Sequence, residues 1–114
     1  PLLLAGDFLF LRRCKMKVFL SHKMSGVPVA KVSRIRANAK IHLAEKYPNE
    51  TIEIIDNYNH FDAPVNAGRL WHLGRSIQQL EEADAIYFCK GNCKTKGCIV
   101  EKVIVFLYKI PVLK

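Results

Sequence analysis

Four short apolar runs are spread along the chain with a helical pattern between each pair, and this alternation restricts the fold more than any other feature. The runs are Lys17 to Ser21 (KVFLS), Thr51 to Asp56 (TIEIID), Asp84 to Cys89 (DAIYFC) and Ile110 to Leu113 (IPVL). The first suits a central strand, the second is β-branched with a polar end, the third reads as a buried strand and the fourth as a last short strand. After the first run, apolar residues recur at Val29, Val32, Ile35, Ala39 and Leu43, spacings of three and four that mark one helical face from Val29 to about Tyr47. Lys31, Arg34, Lys40 and Glu45 fall mostly off that face. Pro28 suits the first turn, and Pro48-Asn49 ends the helix. Arg69 to Glu82 repeats the pattern through Leu70, Leu73, Ile77 and Leu80, and Gly97 to Tyr108 through Val100, Ile104 and Leu107. The order β-α-β-α-β-α-β with every crossover helical predicts an α/β domain. Its sheet of four strands is parallel, its crossovers are right-handed, and helices cover both faces. At 114 residues there is material for one core and not for two.

The formal net charge is +8, which favours an anionic partner. The basic residues are scattered (Lys15/Lys17, Lys31/Arg34/Arg36/Lys40, Arg69/Arg75, Lys90/Lys94/Lys96) and form no basic arm. A solvated basic surface, in part serving anionic small molecules, is the plain reading; a nucleic-acid partner is not expected. The longest apolar runs are too short to span a bilayer, so no membrane partner is expected. Cys89, Cys93 and Cys98 follow a C-x3-C-x4-C spacing that lacks the paired knuckles of a zinc site; with Cys14 they read as reduced thiols of a cytoplasmic protein, with no metal or other cofactor. Residues 1–15 (PLLLAGDFLFLRRCK) do not fit the pattern and carry their positive charges after the apolar run, the reverse of a secretory signal. The expectation is an N-terminal extension over 1–15, non-native or an added strand, ahead of a domain over 16–114.

In such a sheet the C-terminal ends of the strands lie along one edge, and the loops leaving them converge. Those loops hold Ser21, His22, Lys23, Met24, Ser25 and Gly26; then Asp56, Asn57, Tyr58, His60 and Asp62; then Gly91, Asn92, Lys94, Lys96 and Gly97. Glu101 follows, in what the spacing predicts to be the first turn of the third helix. There, unpaired N–H groups and the positive end of the helix dipole would hold the carboxylate ionised. An ionised carboxylate can attack an anomeric carbon; a Glu in a first turn can equally do no more than stabilise the helix. His22 and His60 read as general acids or as ordinary loop histidines. Ser25-Gly26 is a weak phosphate-loop signal. Trp71 reads as a core or interface anchor, and Asp84 as a cap at the end of the second helix.

The stretches MKVFLSHKMSG, WHLGRSIQQLEEADAIYF, GCIVE and YKIPV, within Met16 to Leu113, resemble a small uncharacterised domain family of phages and bacteria that is similar to the nucleoside 2-deoxyribosyltransferases. The resemblance implies a three-layer flavodoxin-like or Rossmann-like sheet with strand order 2-1-3-4. It also implies N-glycosidic chemistry on (deoxy)nucleosides or their monophosphates, and a homo-oligomer. Glu101 matches the family's nucleophile, and the loop from Ser21 to Gly26 matches the region that holds the nucleoside or its 5′-phosphate. The family carries an acidic residue shortly before the nucleophile to handle the base. Here that loop reads Asn92-Cys93-Lys94-Thr95-Lys96, so Asp56 or Asp62 would take that role, while Lys94 and Lys96 suit a phosphate. His22-Lys23 stands where the closer relatives tend to have Gln-Pro. The alternative is a non-catalytic module that binds or sequesters a nucleotide. A third reading, an assembly protein, rests on residues 1–15 and Trp71.

Overall fold

The computed structural model describes residues 15–24, 26–57, 62–89 and 94–114. Its elements follow in the expected alternation: β1 (Lys15–Ser21), α1 (Val29–Lys46), β2 (Thr51–Ile54), α2 (Arg69–Leu80), β3 (Ala85–Phe88), α3 (Lys96–Tyr108) and β4 (Val112–Leu113). The strands form one parallel sheet in the order β2-β1-β3-β4, the flavodoxin-like arrangement. β1 begins at Lys15, which pairs with Thr51 across the sheet, one residue ahead of the domain start read from the sequence. No helix among the described residues is long and apolar enough to cross a membrane.

β1 is central, between β2 and β3, and its side chains alternate between two cores. Val18 and Leu20 join Ala39 and Leu43 of α1, with Tyr87 and Cys89. Phe19 joins Leu80 of α2, Ile86 of β3 and Val105 of α3. A right-handed crossover requires this division: stepping from β1 to β2 places α1 on one face, and stepping back to β3 and on to β4 places α2 and α3 on the other. Asp84 closes the N-terminal edge. Its carboxylate accepts from the Lys17 backbone N–H at 2.9 Å and its own N–H donates to the Lys17 carbonyl at 2.8 Å. It thus acts on β1 and sits at the edge opposite the strand C-termini.

The apolar stripes shift at the helix ends. Val29 and Leu70 are exposed rather than buried, and so is Leu107. Helices of 12 to 18 residues rise further than strands of four, so their terminal turns overhang the sheet. α3 is seated by Cys98, Glu101 and Val105, with Val100 and Ile104 only half-buried. The carboxylate itself therefore lies on the face that packs against the sheet.

Candidate functional site

α3 starts at Lys96, one residue earlier than its sequence suggests, because Thr95 is its N-cap: the Thr95 hydroxyl accepts from the Cys98 backbone N–H at 3.4 Å. Glu101 is consequently the sixth residue of the helix, beyond the four free N–H groups of the first turn, and no acidic residue occupies that turn. The expectation that the helix terminus holds Glu101 ionised is therefore corrected. Only 7% of the residue is exposed, and burial pushes its carboxyl up to about 7, with the neighbouring Cys98 thiol adding to the rise and a hydrogen bond from Ser21 opposing it. The Ser21 hydroxyl, at the end of β1, donates to Glu101 Oε1 at 3.1 Å and lies 3.4 Å from Cys98 Sγ. Glu101 Oε2 has no hydrogen-bond partner among the described residues. A capping glutamate would be exposed and charged. This one is held under the end of the central strand, with half of its carboxyl unused.

On the α1 side of the sheet lies a second buried polar group. Arg36 occupies the stripe Val32–Arg36–Ala39–Leu43 and is 7% exposed. Its Nη1 donates to Asn57 Oδ1 at 2.9 Å and lies 3.1 Å from His22 Nε2, and its Nη2 donates to the Ile55 carbonyl at 2.8 Å. A guanidinium has only donors, so His22 Nε2 accepts and His22 Nδ1 carries the proton that it gives to the Lys23 carbonyl at 3.2 Å. Burial, with Arg36 adding to it, keeps the His22 imidazole below its usual value despite that backbone bond. His22 is thus held between Arg36 and its own loop backbone, with burial disfavouring the charged ring. Asn57 is likewise engaged, its Nδ2 donating to the Leu20 carbonyl at 3.0 Å. These two sequence-named residues tie the ends of β1 and β2 to α1.

Above the strand ends is a cavity of about 370 Å³, lined by Lys23, Gly26, Val27, Pro28, Lys31, Lys94 and Thr95. It lies between the N-termini of α1 and α3. Gly26 sits in its turn at φ 74°, with the Val27 N–H donating to the Met24 carbonyl at 3.3 Å, a conformation that favours glycine. Three lysines and two positive helix ends favour an anion here. Comparison with protein-family models, with curated proteins and with solved structures finds no match. The functional reading therefore rests on this geometry and on the residue pattern.

The remaining sequence-named residues divide by place. Lys96 is exposed at the first position of α3, and Gly97 packs toward Leu73 of α2. Asp56 is exposed, and its carbonyl accepts from Gln79. Asp62 is exposed too and lies 3.6 Å from Arg75 Nε. Neither aspartate is among the residues that line the cavity or bond Glu101. Ser25, Gly91 and Asn92 lie outside the described residues, as do Tyr58, His60, Cys14 and Cys93. Cys89 and Cys98 are buried thiols, and burial raises Cys89 to about 11, which disfavours its reactive thiolate. No group of three metal-ligating side chains occurs among the described residues. The sequence reading did not assign Arg36 or Lys31 to the site. Position 36 falls four after Val32 and three before Ala39, and that register was the signal.

Proposed function

We propose that the chain binds a nucleoside or nucleotide at the C-terminal edge of its sheet and cleaves or transfers the N-glycosidic bond through Glu101. The observations that carry this reading are the lysine-lined cavity at the strand ends and, under the end of β1, a buried carboxyl with one oxygen that has no partner among the described residues. The phosphate of a monophosphate would sit among Lys23, Lys31 and Lys94, and the sugar would lie toward Ser21. A Glu101 oxygen attacks C1′, the bond to the base breaks with its electron pair going to the base, and water then releases the sugar ester. A carboxyl that ionises near pH 7 reacts in its charged form, so base release should rise with pH through about 7. In this reading the working unit is a cytoplasmic homo-oligomer, as the family resemblance implies. The test is chromatographic detection of free base after incubation with deoxynucleosides and their monophosphates. Release from none of them by the wild type sinks the enzymatic reading.

One observation favours the second reading, a non-catalytic nucleotide module: Glu101 is not among the described residues that line the cavity. In either case the double change Lys31→Glu plus Lys94→Glu should weaken binding of a nucleoside monophosphate at least about a hundredfold, while binding of the unphosphorylated nucleoside changes little. Calorimetric titration of both ligands checks this. Equal losses for the two would remove the phosphate from the cavity.

A further inference from the structure

The sequence of α3, KGCIVEKVIVFLY, is apolar nearly all round, and a helix of that kind is normally covered on both sides. One side seats Cys98, Glu101 and Val105 on the sheet. On the opposite side Ile99, Val103 and Phe106 are 54%, 51% and 81% exposed, and Leu107 and Tyr108 flank them at 65% and 75%. These side chains leave on the order of 500 Å² of apolar surface open, near the upper end for a monomer. From Ile99 to Tyr108 the charged side chains are Glu101, which is buried, and Lys102, which is exposed beside the stripe with its ammonium 5.4 Å from the Phe88 ring centroid of its own chain.

We propose that this face binds a second copy of the chain, α3 against α3 and antiparallel, about a two-fold axis at Val103. An isologous contact must be self-complementary. The stripe meets that condition, with Ile99 four residues before Val103 and Phe106 and Leu107 three and four after, so that Ile99 of each copy meets Phe106 and Leu107 of the other. Two such patches bury roughly 1,000 Å² before any rim is counted, close to the lower bound of stable specific interfaces. The partners are both basic, with net charge +8 each, so salt should tighten the pair. An acidic partner on the same face would show the opposite dependence. The proposal gives a face to the homo-oligomer of the nucleotide reading, and because its test uses no nucleotide, either can fail without the other.

Sedimentation of the full chain should give twice the monomer mass of 13.0 kDa at micromolar concentration, with the dissociation constant falling as salt is raised. Val103→Glu and Phe106→Glu should each weaken the dimer at least about a hundredfold with the circular dichroism unchanged. Ile41→Glu, on the exposed side of α1, should leave the mass as it was. Because position 103 meets itself across the axis, Val103→Cys should cross-link to dimer under mild oxidation well above the wild-type background. A wild type that stays monomeric at hundreds of micromolar overturns the proposal. So does a dimer that survives both charge substitutions, one that Ile41→Glu dissociates, or a Val103→Cys variant that cross-links no faster than wild type.

Discussion

Replacing Glu101 by Gln is expected to abolish base release and, in the same protein, to raise its stability above pH 7. Loss of the attacking oxygen from a covalent mechanism costs at least about a thousandfold in turnover. The stability gain follows from linkage. The folded carboxyl ionises at about 7 against 4.5 for the free group, so the folded state holds the proton more tightly. Stability from this group is fully present below pH 4.5 and falls as pH rises through about 7, by on the order of 3 kcal/mol. The amide of Glu101→Gln keeps the shape without the charge and removes that slope. His22 runs the other way: its folded value is lowered, so it takes stability from the protein as pH drops below 6.5. Urea unfolding of wild type and variant at pH 5 and pH 8 isolates the Glu101 contribution, because His22 is common to both. A variant that is less stable at pH 8 would mean that the carboxylate is held by partners that stabilise its charge. A more stable variant that binds a monophosphate as well as wild type does, from a protein with no turnover, would select the non-catalytic module.

The cost of burying this carboxyl argues against a purely structural role for Glu101. Burying a carboxyl with one oxygen unpartnered is costly, and an apolar residue at position 101 would seat α3 on the sheet without that cost. The position faces Ser21 at the end of the central strand, where a ligand in the strand-end crevice would lie closest.

The fold was legible because its signals are local. β1 must be buried on both faces, and Val18, Phe19 and Leu20 say so in sequence; Pro28, Pro48 and the three-and-four spacing set α1 to within a residue. The site was only partly legible. Which side of α3 turns inward depends on where the helix begins, and the Thr95 cap moved that start by one residue, taking Glu101 out of the first turn and into the packed face. Arg36 was counted among surface charges because a cation on a helix is exposed by default. His22 and Asn57 belong by sequence to the strand-end loops, and their contacts with Arg36, 14 and 21 residues away, are ones that no local pattern shows. Composition shows the basic excess, and only the fold brings Lys23, Lys31 and Lys94 around one cavity.

Arg36→Ala is expected to be the most destabilising single change in the domain. The guanidinium reaches three acceptors on two segments, His22 Nε2 after β1 and both Asn57 Oδ1 and the Ile55 carbonyl after β2. Removing it strands all three in a buried site and opens a void beside α1, at a cost of about 3–5 kcal/mol. That is a large share of the roughly 5–15 kcal/mol by which domains are stable, and it should lower the melting temperature by well over about 10 °C. Arg36→Lys places one point charge where a planar fork met three acceptors, so it should recover less than half of the loss. Asn57→Ala alone should cost less, since Arg36 keeps His22 and Ile55. The double variant should fall short of the sum of the two, because the second change removes groups already stranded by the first. The loss should also reach the cavity. His22 precedes Lys23, and its Nδ1 holds the Lys23 carbonyl, so releasing the ring frees the loop that presents Lys23. At a temperature where Arg36→Lys remains folded, its affinity for a nucleoside monophosphate should drop while ionic-strength dependence persists, since Lys31 and Lys94 stay in place. A strictly additive double variant, or an Arg36→Ala protein as stable as wild type, would show that these contacts do not couple β1 and β2 to α1.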